Sequence, residues 1–223
     1  MTEEKRAVGR PPRIEKRQIV DVARRIIEEE GVGALSMRRV AKEVGATPMA
    51  LYHHVRDKDE LLMLTLSGMA ETFARPSLPE HPRDRVLATA VHMHAILSEM
   101  DWVVDVLSLG DLTDKGALWM PEEIIDSAIA CGLTPEAAIH AYRTIWYVVH
   151  GALVFRRADA RRTADPARKP FFPALITADD ADALPRLSAL AERWDEVTAD
   201  YDVAAQLAAV VDGLLGHART HQG

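Results

Sequence analysis

The chain has 223 residues, 48% of them hydrophobic and 27% charged, enough for one large or two small domains with a buried core. Its apolar runs are far too short to span a bilayer, and the charged stretch MTEEKRAVGRPPRIEKR lacks the apolar centre of a secretory signal. Cys131 is the only cysteine, which excludes an internal disulfide and a CxxC metal site and fits a reducing cytoplasm.

The net charge of −7 is unevenly spread. Residues 5–58 carry 13 Lys/Arg against 7 Asp/Glu, whereas residues 59–223 carry 14 against 25. A basic head on an acidic body is the pattern of a head that meets a polyanion.

Nearly every segment reads as helix. Residues 1–13 form a basic arm, because Pro11 and Pro12 forbid a helix there. Ile19, Val20, Ala23, Ile26 and Ile27 recur at helical spacing, so the pattern predicts an amphipathic helix over 14–30, ended by Gly31 and Gly33. Ser36 caps a second helix over 37–44, closed by Gly45. Thr47-Pro48, a cap followed by proline at the first helical position, opens a third helix reaching about 55. Asp57 and Glu60 make a variant capping box for a fourth, running through Leu61, Leu64, Met69 and Phe73.

The Pro-rich stretch 75–82 sets a domain boundary near 75. Beyond it the pattern predicts helices over 83–100, about 121–131 and 134–157, then 184–198 and 202–219. A turn-rich piece, 101–117, and a long connection, 158–180, separate them. The expected architecture is all-α. It has a three-helix head with a linking helix over 14–75 and a helical body over 76–223.

The segment 37–55 carries the functional signal. Small Ala41 and Gly45 allow two short helices to cross steeply through a tight turn, which defines a helix-turn-helix whose second helix enters the major groove. Leu51 and Val55, four apart, face a small core. Pro48, Met49, Tyr52 and His53 then face outward, with Ala50 and His54 on one flank. Tyr and His suit phosphates or base edges, and Met49 and Ala50 suit thymine methyls. Thr47 and Lys58 can reach phosphates, and Arg38 or Arg39 can reach a guanine edge. The Arg/Pro arm can add backbone or minor-groove contacts.

The string GALSMRRVAKEVGATPMALYHHVRDKDELL resembles the DNA-binding domain of the tetracycline-repressor (TetR) family over about 14–75. The resemblance implies a homodimeric, ligand-responsive repressor of palindromic operator DNA. It puts Tyr52, His54 and Lys58 on phosphate-contacting positions. Arg38, Thr47, Pro48, Met49, Ala50 and His53 fall on base-reading or backbone positions.

It also implies a small-molecule pocket in each body. The lining expected here is Tyr142, Arg143, Trp146, Tyr147 and His150 from 134–157, closed over by His94, Trp102, Leu107, Trp119 and Met120. Aromatic and Met side chains with a few polar tips suit an apolar or aromatic ligand. The apolar stripe of Leu207, Val210, Val211 and Leu214 fits either a four-helix dimer interface with part of 134–157 or burial inside one chain. No metal-binding H-E-x-x-H, nucleophile elbow, Walker loop or dinucleotide fingerprint occurs, so neither an enzyme nor a cofactor is expected.

Overall fold

The structure is a computed structural model and describes residues 15–70, 74–109, 115–163 and 175–220. The side chains of 68–70, 101, 161–163 and 217–220 are outside that description. The basic arm and the Pro-containing part of the 158–180 connection, residues 164–174, also lie outside it.

The regular structure among the described residues is all helical, with short 3₁₀ turns and no strand. The helices are α1 (Lys16–Glu30), α2 (Met37–Glu43), α3 (Pro48–Tyr52), α4 (Lys58–Ala70), α5 (Pro82–Ser98), α6 (Asp101–Leu107), α7 (Trp119–Ala130), α8 (Pro135–Thr163), α9 (Pro185–Ala191), α10 (Trp194–Ala199) and α11 (Val203–Thr220). The chain divides into two compact units. One comprises 1–74 with 102–118, and the other 75–101 with 119–223.

In the first unit, the stripe Ile19, Ala23, Ile26 and Ile27 of α1 is buried. It shares that core with Leu35, Val40, Leu51, Val55, Leu61 and Leu62, all nearly or fully buried. α1 touches α2 and α4, and α2 touches α3. The stretch 101–117, expected to be turns, instead contains α6, whose Trp102, Val103, Val104 and Val106 are buried. A run of β-branched residues with one Trp has low helix propensity, and burial of its apolar side chains outweighs that.

In the second unit, α5 packs on α7, α8 and α11, and α7 and α11 also touch α8. The core is Val86, Ala90 and Met93 from α5, Ile124 from α7, Ile145, Val149 and Leu153 from α8, and Leu207 and Val211 from α11. Arg83 on α5 clamps Asp212 on α11 with two hydrogen bonds, at 2.8 and 2.9 Å. α8 runs to Thr163, past its expected end. The helix expected over 184–198 is split into α9 and α10 around Glu192 and Arg193.

Of the α11 stripe expected either at a dimer interface or inside one chain, Leu207 and Val211 have no exposed surface in the single chain and belong to its core. Val210 and Leu214, on the flank of the same helix, are only half-buried.

Candidate nucleic-acid interface

α2 and α3 are short, and their caps define them. Ser36 Oγ accepts from Arg39 N at 3.3 Å, and Thr47 Oγ1 accepts from Ala50 N at 3.2 Å with Pro48 at the first helical position. Between them the chain closes α2 with two bonds, Ala46 N to Ala41 O at 2.8 Å and Gly45 N to Lys42 O at 3.2 Å. This is a Schellman closure, and it needs a left-handed residue, here Gly45 at φ 71°. A side chain at that position would be strained, so the glycine sets the angle between the two helices.

α3 ends at Tyr52, three residues sooner than expected, and His53 and His54 follow as a turn. Val55 is still buried, with its amide bonded to Leu51 O at 3.0 Å, so the inward anchors are as expected. The start of α4 differs from a simple capping box. Asp57 Oδ1 accepts from Glu60 N at 2.8 Å, but the Glu60 carboxylate takes the Arg56 amide, at 2.7 Å, one residue before the cap.

This scaffold turns one face outward. Met49 is 70% exposed and Tyr52 49%, and Arg38, Thr47, Pro48 and His53 are exposed as well. Ala50 and His54 are half-buried on the flank. Lys58 is half-buried, and its ammonium donates to Val32 O at 3.3 Å. That bond ties the start of α4 to the 3₁₀ turn Val32–Ala34 after α1.

Charge separates the two adjacent arginines. Arg39 is held by Glu30 and Glu43, which raise its pKa further above the arginine range, and its hydrogen bond in turn lowers that of Glu30. Glu43 also takes Arg25 at 2.6 Å. Arg38 is exposed and has no carboxylate partner among the described residues, and the same is true of Lys42, one turn further along α2. Lys42 joins this exposed face without a motif to mark it; its i,i+4 spacing from Arg38 is the one signal the sequence carries.

The expected ligand set is divided between the two units. His94, Met120, Trp146 and His150 are half-buried in the second unit, with the Trp146 and His150 rings 5.3 Å apart. Arg143 and Tyr147 are instead exposed on α8, the guanidinium donating to the Tyr147 hydroxyl and lying over its ring. Their positions on α8 lie opposite the row Ala141, Ile145 and Val149 that enters the core. Trp102 and Leu107 belong to the first unit. Helical spacing brings neighbours together but does not say which face turns inward.

A capped pair of short helices at a fixed angle, with an exposed aromatic, Met and Arg face, defines a helix-turn-helix DNA-binding protein. Residues 19–63 match the family model described as bacterial regulatory proteins, tetR family. A transcriptional regulator of Saccharopolyspora erythraea is 27% identical over 178 residues, covering 74% of each chain. The transcriptional repressor DrrR1 of Streptomyces coeruleorubidus is 31% identical over 166 residues, covering 70% of this chain and 59% of its own length. Among solved structures, ActR of Streptomyces coelicolor in complex with actinorhodin superposes with a TM-score of 0.68 at 21% identity, over 92% of this chain and 98% of that one. BioQ with its double-stranded DNA operator superposes with a TM-score of 0.57 at 26% identity, over 65% and 88%. The chain belongs to the TetR family of transcriptional regulators.

Proposed function

We propose that the protein is a homodimeric cytoplasmic repressor that binds a palindromic operator and is released by a small apolar or aromatic molecule. The observation that carries this is the outward face of α3 and α2, where Met49, Tyr52, His53 and Arg38 are exposed while Leu51 and Val55 anchor the core. Tyr52, His54 and Lys58 fix the helix on phosphates, and Arg38, Thr47, Pro48, Met49, Ala50 and His53 meet bases or the adjoining backbone. Lys42 joins them on the Arg38 face.

The dimer face is the outer side of α8 and α11. Ile139, Tyr147, Val154 and Phe155 are 48, 56, 40 and 73% exposed along α8. α11, which packs beside it, presents Ala209 and Gly213 outward with Val210 and Leu214 half-buried. Small residues on one helix and large apolar ones on the next suit a close four-helix packing. The repressor name of DrrR1, the operator bound to BioQ and the actinorhodin bound to ActR support the functional reading.

The test is selection of genomic DNA fragments on the purified protein near physiological salt. Recovery of a palindrome with half-sites about one turn apart, roughly 34–36 Å, is the expected result. Failure to enrich any sequence, with and without metabolite extract, would overturn it.

A further inference from the structure

Thr89 and His92 lie one turn apart on α5. Each holds a buried polar atom without a hydrogen-bond partner, Thr89 Oγ1 and His92 Nε2. Thr89 is completely buried. Unpaired buried polar atoms are costly and uncommon in native proteins, so two of them a turn apart call for something that pairs them. Arg24 Nε and Ser188 Oγ are similarly unpaired, but they sit far along the chain, on α1 and α9.

The surroundings give the pair a chemical character. The His92 ring lies 5.8 Å from the Trp119 ring of α7, tilted by 45°. The Arg75 guanidinium lies over the same indole, 4.8 Å from its centroid. One turn along α7, the buried Glu123 carboxylate takes Arg75 at 2.9 Å and Arg85 at 2.9 Å. These charges are therefore already engaged with one another. Burial holds the His92 imidazole below the usual histidine range, which keeps it uncharged near neutral pH.

A neutral imidazole nitrogen and a hydroxyl can each donate or accept. Their natural complement is a group that does both, attached to a flat ring that can lie against an indole.

We propose that Thr89 and His92 form the polar end of the effector site and hold a hydroxyl group carried on an aromatic ring that lies against Trp119. This rests on the effector-responsive reading above and narrows it to hydroxylated aromatic molecules. The same hydroxyl pairs both orphan atoms, so binding relieves a cost carried by the free protein.

The test uses the full-length protein with 1-naphthol and with naphthalene, which has the same rings and no hydroxyl. Calorimetric titration of the native protein is expected to show 1-naphthol binding at least about tenfold tighter. Thr89→Val and His92→Phe should each erase most of that preference while leaving naphthalene binding unchanged. Without any ligand, Thr89→Val should melt no lower than the native protein, because it removes an unpaired hydroxyl without changing volume.

Equal binding of the two probes, or no binding of either, would overturn the proposal; the first would mean that a buried water alone pairs the two atoms. So would unchanged naphthol affinity in both variants, or a lower melting temperature for Thr89→Val. Gel shifts of the same preparations on the selected operator separate the two levels. A native protein that binds operator but not naphthol sinks only this subsite, whereas one that binds no operator sinks the repressor reading.

Discussion

Arg39 of α2 is bound at both ends. Its Nη1 donates to Glu30 at the end of α1 at 2.6 Å, and its Nε donates to Glu43 of α2 at 3.1 Å. Arg38, the residue before it, is exposed and free of such partners among the described residues. A helix turns by about 100° per residue, so one of two adjacent arginines braces α2 against α1 while the other points away.

The two should therefore separate in a simple experiment. Arg39→Ala is expected to lower the melting temperature, because it removes the cation that ties Glu30 of α1 to Glu43 of α2. Arg38→Ala should change stability by no more than about 0.5 kcal/mol. It should relax preference at one base pair by about 1–3 kcal/mol, if it reads a guanine edge. Thermal melts and a binding panel of single-base operator variants make the comparison. An Arg38→Ala protein with unchanged base preference would remove it from the base readers.

Lys58 and Tyr52 are both assigned to phosphates, but they differ in charge, and salt dependence tells them apart. Lys58→Ala should weaken binding to all sequences and reduce the slope of log affinity against log salt by about one. Its ammonium also holds Val32 O, so a small loss of stability is expected as well. Tyr52→Phe removes an exposed neutral hydroxyl, so it should weaken all sequences alike and leave the slope where it was. A Lys58→Ala protein with an unaltered slope would mean that the lysine serves only the turn at Val32.

Much of the head was legible because its signals are local. Ser36, Thr47-Pro48, Gly45 and Asp57 mark helix ends through bonds that span three to five residues, and each makes its bond here. Leu51 and Val55 follow from the helical period alone. The body was less legible because its faces are fixed by distant partners. Tyr147 and Arg143 satisfy the same spacing as Ile145 and Val149, yet only contact with α5, α7 and α11 decides which row is buried. The apolar stripe of α11 shows the same limit. Leu207 and Val211 read equally well as core or interface, and packing against α5 and α8 makes them core. The Arg75–Glu123–Arg85 cluster spans 48 and 38 residues, with nothing local to announce it.

That cluster and two histidines contribute to the response to acid, beside Glu30, Asp57, Asp180 and Asp212, whose pKa values hydrogen bonds also lower. Burial raises the Glu123 pKa, but the hydrogen bonds and charges of Arg85 and then Arg75 outweigh it and leave it below its usual 4.5. His92 is lowered by burial, and His94 by burial and then by the Arg156 charge, both from 6.5. In all three the folded pKa is the lower one. Each therefore contributes stability above its unfolded value that is lost as pH falls through its folded value. Melting temperature should decline in two stages, the first beginning near pH 6.5 and the second near pH 4.5. Glu123→Gln should lower the melting temperature at neutral pH, by about 2 kcal/mol of stability for the lost charged hydrogen bonds. It should flatten the second stage and keep the first. A variant whose acid profile parallels the native one would show that Glu123 does not carry the lower stage.

The two faces of the α8–α11 pair give opposite outcomes when disrupted. Phe155 is 73% exposed on α8, and a glutamate there costs the folded single chain little. Placed in a dimer interface, the same glutamate buries an unpaired charge in each subunit and does so twice by symmetry. Phe155→Glu is therefore expected to yield a folded monomer by sedimentation, with a near-native melting profile at high protein concentration once the loss of dimer linkage is allowed for. Operator affinity should fall steeply, because one half-site alone holds the protein. Leu207→Ala should do the reverse. Leu207 has no exposed surface, so truncating it opens a cavity costing about 2–5 kcal/mol, while whatever folded protein remains keeps its oligomeric state. A Phe155→Glu protein that stays dimeric would move the interface off this side of α8, and the exposed apolar row from Ile139 to Phe155 would then need another partner.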